Sequence, residues 1–152
     1  MTTPLNDFKD AVASIWEAAT PPDRPEITYH RIVGKAPLDG ATADRGFWFD
    51  QSVRDGPVSE AVGPGGSMVT YVFWTVAARV RLSAEGRGLD VLENTTNNEL
   101  NLLARLLERY AAWPLGVVEV VQTGSRVDFD QDSEDAVLAL SMRVLCAETD
   151  GN

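Results

Sequence analysis

The chain has 152 residues and a net charge of −10, from 23 acidic and 13 basic side chains. That excess argues against a nucleic-acid or anionic-membrane surface, because binding phosphates needs clustered Lys and Arg. Apolar residues make up 44% and charged ones 24%, a globular balance that excludes disorder and gives one domain, residues 1–152, enough interior for a real core.

No run reaches the ~20 apolar residues that cross a bilayer. The opening MTTPLNDFKD lacks the basic start and apolar centre of a signal peptide. The expectation is synthesis in the cytoplasm and no membrane partner. Cys146 is the single cysteine, so neither an intrachain disulfide nor a multi-cysteine metal site is available. Its place on an apolar alternation predicts a buried thiol.

Thr3 and Pro4 read as a helix start, with the hydroxyl as cap and the proline at the first helical position. Leu5, Phe8, Val12, Ile15 and Ala19 follow at steps of three and four, an amphipathic stripe. Thr20-Pro21-Pro22 ends it. Glu26 to Val33 reads as a strand rich in β-branched and aromatic residues. Residues 34–46 read as a long polar loop, and Phe47 to Val53 as a second strand. Residues 54–67 hold Asp55-Gly56-Pro57 and Gly63-Pro64-Gly65-Gly66, strong breakers that predict a second long loop with a flexible hairpin tip.

Met68 to Leu82 is the strongest strand signal. Val72, Trp74, Val76, Ala78, Val80 and Leu82 fall on one face; Tyr71, Phe73, Thr75, Ala77, Arg79 and Arg81 fall on the other. Residues 84–88 turn the chain. Thr96 and Glu99 then match a capping box, and Leu100, Leu103, Leu107 and Tyr110 continue at helical spacing until Pro114. Val117 to Gln122 and Arg126 to Asp130 read as two strands around a Gly124-Ser125 turn. After an acidic turn, Ala136 to Ala147 closes the chain as a strand, with a frayed tail over 148–152. The order is helix, three strands, helix, three strands. The fold class is α+β: a mainly antiparallel mixed sheet, both helices on one face, and long loops.

Chemistry-bearing motifs are few. His30 is the one histidine and has no nucleophile or orienting carboxylate near it in sequence. Asp128, Asp130, Asp132, Glu134 and Asp135 begin like a calcium loop, but Ser133 stands where the turn glycine belongs and Ala139 where the closing glutamate belongs. The better reading is a solvated acidic hairpin end. No phosphate cradle, nucleophile elbow, dinucleotide fingerprint or zinc motif occurs. The expectation is therefore no catalytic residue, no cofactor and no metal. Arg79, Arg81 and Arg143 form a basic stripe whose first reading is cross-strand pairing with Asp or Glu. The aromatics Phe47, Trp48, Phe49, Tyr71, Phe73 and Trp74 read as core but outfill one sheet face. Aromatics left on a second face mark a protein contact. The candidate subunit interface is Phe47, Trp48, Phe49, Tyr71, Phe73, Arg79 and Arg81.

Over residues 5–147 the layout resembles the tail-terminator, or tail-completion, proteins of tailed phages and phage-derived particles. The segments that carry the likeness are the helix FKDAVASIWEAA, a glycine-rich loop, the long strand YVFWTVAARVRL, the helix NELNLLARLLERYAAW, the strand VVEVVQ and the strand AVLALSMRVL. The resemblance implies a homohexameric ring on the head-proximal end of the tail tube, in the virion neck. Such a ring stops tube growth and joins the tail to the head. Its implied partners are further copies of itself, the tail-tube protein, a neck or connector protein, and DNA passing through the lumen without specific binding. The alternatives are another head–tail connector such as a head-completion protein, a small-ligand module using the aromatic cluster as a pocket, and an enzyme without a recognisable motif.

Overall fold

The computed structural model describes residues 3–33, 44–62, 64–66, 68–83, 88–129 and 135–149. Its first element is helix α1, Pro4–Glu17. The Thr3 hydroxyl caps it by accepting the Asn6 amide at 3.2 Å, and Pro4 occupies the first turn, where no donor is lost. Phe8, Val12 and Trp16 are its buried stripe.

Among the described residues six strands form one sheet. Strand β1, His30–Arg31, pairs in parallel with β2, Gly46–Phe49. Strand β3, Val53–Val62, and β4, Met68–Leu82, form a hairpin. Helix α2, Leu89–Arg109, follows, and then β5, Val117–Phe129, and β6, Ala136–Thr149. The order across the sheet is β1-β2-β4-β6-β5, with β3 also on β4. Every pairing except β1 with β2 is antiparallel. Both helices lie on one face, so the α+β reading with helices on one side of a mainly antiparallel sheet holds.

Strand alternation decides what lies under the helices. Val76, Ala78, Val80 and Leu82 from β4 and Ala136, Leu138, Leu140, Met142, Val144 and Cys146 from β6 join Phe8, Val12 and Trp16 of α1 and Leu92, Leu103 and Leu107 of α2 in one buried cluster. The Trp16 indole stands edge-on to Phe47 at 5.4 Å and donates to the Leu103 carbonyl at 3.4 Å, tying the two helices together. Gly116 makes the turn into β5 at φ 97°, and a Cβ there would lie 2.9 Å from Pro4 Cγ. Only glycine permits both that backbone and that approach.

Six elements differ from their sequence reading. The strand expected over 26–33 shrinks to His30–Arg31, the two residues that pair with Gly46 and Phe47 of β2. The strand expected over 47–53 stops at Phe49, where Asp50 turns its amide to the Ala77 carbonyl at 3.0 Å. The loop expected over 54–67 is mostly β3: the long β4 supplies a partner edge, and register shifts beside Pro57 absorb the breakers. Its tip, Pro64–Gly66, places Gly65 and Gly66 at positive φ, the hairpin tip expected there. The break expected at Gly124-Ser125 is an irregularity within a continuous β5, held straight by the fourteen residues of β6. Glu148 and Thr149 belong to β6 and not to a frayed tail.

The sixth difference is the largest. Helix α2 starts seven residues before Thr96, with Gly88 as its cap. The expected capping box lies inside the helix. Thr96 donates its hydroxyl back to the Glu93 carbonyl at 2.8 Å, and Glu99 is fully buried. Leu92 lies one turn ahead of Thr96, so the apolar stripe runs past the apparent start signal. The observed order is helix, four strands, helix, two strands. Of the expected loop 34–46 and turns 84–88 and 131–135, residues 34–43, 84–87 and 131–134 lie outside the described residues, as does Asp130 of the strand expected over 126–130.

Candidate assembly surface

The second face of the sheet carries none of the buried cluster. Its composition follows from register. Rows run across it as Trp48 with Arg79 and Ala139, Ala77 with Ser141, Val53 with Thr75, Arg143 and Val121, and Phe73 with Leu145 and Glu119. Most of these side chains are half-buried or exposed. No helix among the described residues contributes to that face.

This register divides the expected interface. Trp48, Tyr71, Phe73, Arg79 and Arg81 share the uncovered face. Phe47 and Phe49 point the other way, because β2 alternates. Phe47 is fully enclosed in the chain's own core and has no surface to offer a neighbour. Phe49 packs edge-on to Phe47 at 6.4 Å, with the Arg31 guanidinium 5.2 Å and the Lys9 ammonium 5.9 Å from its ring. Partial burial, with the Arg31 charge added, lowers the Lys9 pKa. Trp74 is also on the helix side, donating to Glu148 at 3.2 Å. The aromatics therefore do not converge on one pocket.

The arginines of the uncovered face pair with aspartates, but only Asp55 lies on a strand; Asp50 and Asp135 flank β2 and β6. Arg79 donates to Asp50 at 2.5 Å, Arg81 to Asp135 at 3.1 Å, and Arg143 lies 3.9 Å from Asp55. The Arg143 guanidinium also stacks 3.9 Å over Phe73. Burial differs sharply along the series: Arg81 is 5% exposed, whereas the Arg143 side chain is 48% exposed. Asp128, from the acidic cluster, pairs with Arg126 on its own strand at 2.7 Å. Among the described residues no three His, Cys, Asp or Glu side chains are grouped as metal ligands, and no helix is long and apolar enough to cross a membrane.

The sequence reading missed a polar cluster beneath α2. Glu99 accepts Nε and Nη2 of Arg45 at 2.7 and 2.8 Å, and the Tyr29 hydroxyl at 2.6 Å. Arg45 also donates to Asp44 at 2.6 Å, and Asp44 accepts the Ser83 amide at 2.9 Å. Arg45 holds φ 62°, a left-handed conformation uncommon outside glycine. Burial alone would lower its pKa, but the Glu99 bonds and charge outweigh that and raise it. Burial and the Glu99 carboxylate push the Tyr29 hydroxyl well above its ordinary value. Each named group has a partner, so the cluster fixes β1, β2 and α2 against one another and leaves no reactive atom free. Its sequence signal was Glu99 standing four residues before Leu103 and eight before Leu107, on the apolar stripe itself.

No family model and no curated protein matches the chain. Among solved structures, a chain from the virion of a native gene transfer agent particle aligns over 95% of this chain and 92% of its own length, at 11% identity and a TM-score of 0.46. A likeness of that degree assigns neither family nor role.

Proposed function

We propose that the chain is a structural subunit of a phage-type particle, assembling with copies of itself into a ring at the head-proximal end of the tail tube. There it ends tube growth and joins the tail to the neck. One observation carries the reading: the sheet is finished on one side by α1 and α2 and left unfinished on the other. Trp48, Tyr71 and Phe73 with the paired Arg79 and Arg81 belong to that unfinished side. A self-contact that repeats around a ring must be head-to-tail and must close. The layout resemblance to tail-terminator proteins supplies the place and the six copies. The net charge of −10 suits a lumen wall past which DNA slides without sticking.

Native mass spectrometry of the purified chain, alone and with tail-tube protein, tests the reading. The expected result is a closed hexamer, and tubes whose growth stops when the chain is added. A monomer under both conditions, with tube growth unaffected, would overturn it.

A further inference from the structure

Among the described residues three strands have a single strand partner: the two-residue β1, and the long β3 and β5. β5 ends the strand order on one side, and β3 has β4 as its one strand partner on the other. An open edge presents unpaired N–H and C=O groups along its length. Among the described residues seven of the ten exposed large apolar side chains lie along β5 and the β3–β4 hairpin; Val33, Leu89 and Val91 lie elsewhere. Leu115, Val118, Val121 and Phe129 lie on or just before β5, while Val53, Val62 and Met68 lie on β3 and the start of β4.

We infer that the seam between copies is a main-chain pairing of β5 of one copy with β3 of the next, with Val121 set against Val53 of the neighbour. This rests on the ring reading above and names the part of the unfinished sheet that makes the contact. Three arguments support it. First, β3 to β4, β4 to β6 and β6 to β5 are three antiparallel steps. β3 and β5 therefore run in opposite directions, and a neighbour in the same orientation continues the alternation across the seam. Second, one row crosses the sheet as Val53, Thr75, Arg143 and Val121. Its two ends are valines 57% and 46% exposed, on the same face. Third, pairing β5 with a second β5 would leave the β3 valines in water, whereas β5 with β3 covers the valines of both strands. Pro57 has no N–H, so the seam lacks one hydrogen bond at that level.

The test is a cysteine pair, Val53→Cys with Val121→Cys, in the full chain. Paired strands hold opposite Cα atoms about 4.5–5.5 Å apart, within the span of a disulfide. Mild oxidation should give a covalent ladder that ends at the closed ring, and neither single variant should give one. Cys146 is enclosed and adds no background. In parallel, Val121→Lys should abolish the ring with the fold intact by circular dichroism. Thr75→Lys, in the middle of the same exposed row, should retain it. Rings that survive Val121→Lys but not Thr75→Lys would place the contact on the sheet face and overturn the seam, leaving the ring reading standing. Cross-linked dimers from Val121→Cys alone would also overturn it. A wild-type chain that is monomeric even beside tube protein would remove both.

Discussion

Arg45 and Arg143 each face a carboxylate, one beneath α2 and the other on the uncovered side of the sheet. Arg45 is 1% exposed, with two nitrogens on Glu99 and a third on Asp44. Arg143 is half in water, rests on Phe73, and reaches Asp55 only at 3.9 Å. Burial raises what each pair contributes and what its loss costs, since an ion stripped of its partner inside a protein has no water to turn to. The first region is thus committed to holding β1, β2 and α2 together. The second can exchange partners cheaply, as a surface that meets another chain must.

Removing the sealed carboxylate should have the largest effect. Glu99→Ala leaves the Arg45 guanidinium and the Tyr29 hydroxyl without their partner and is expected to cost about 3–5 kcal/mol in urea unfolding. A cost under about 1 kcal/mol would mean that water reaches the cluster, and the contrast between the two regions would fail. Next comes the covered face itself. Leu138 is 1% exposed, and Leu138→Ala should cost about 2–5 kcal/mol through lost burial and the cavity left behind.

A smaller effect separates the regions by pH. Burial first, and then the Glu148 charge, raises the Cys146 thiol from 9.0 to about 11. Above about pH 9 the unfolded chain releases this proton while the folded chain keeps it, so stability must fall as pH rises toward about 11. Tyr29, raised further, adds to the loss at the upper end. Unfolding midpoints should drop across that window. Cys146→Ala should remove the part between about pH 9 and 11; an unchanged slope would show that the thiol is not sealed.

The covered face was legible because one local rule sufficed for each part. Alternation along Met68 to Leu82 and Ala136 to Cys146 places the apolar residues on one side, and Thr3-Pro4 starts α1 where the cap geometry says it should. What failed needed a distant partner. Gly56-Pro57 and Gly124-Ser125 look like breaks, yet β4 and β6 are long enough to carry strand structure past both. Thr96 and Glu99 have the spacing of a capping box, and nothing local reveals that Arg45, fifty-four residues away, neutralises Glu99 inside the core. The candidate surface was half legible for the same reason. Alternation separates Trp48 from Phe47 and Phe49, but only the pairing of β2 with β4 shows which set faces inward.

The smallest expected effect lies on the uncovered face and is the sharpest check on the contrast. Arg143→Ala removes a cation stacked 3.9 Å over Phe73 and a pair with Asp55 in which both side chains are nearly half exposed. An exposed stack of this kind contributes about 0.5–1 kcal/mol, and an exposed ion pair about 0–1 kcal/mol, screened further by salt. The isolated chain should therefore lose no more than about 2 kcal/mol, and most of the ion-pair part should vanish at about 1 M salt, where screening reaches only about 3 Å. The same substitution uncovers one face of the Phe73 ring beside Leu145. A loss above about 2 kcal/mol in the isolated chain would show that this face is already locked in the way the Glu99 cluster is, and the division into a committed region and an exchangeable one would have to be given up.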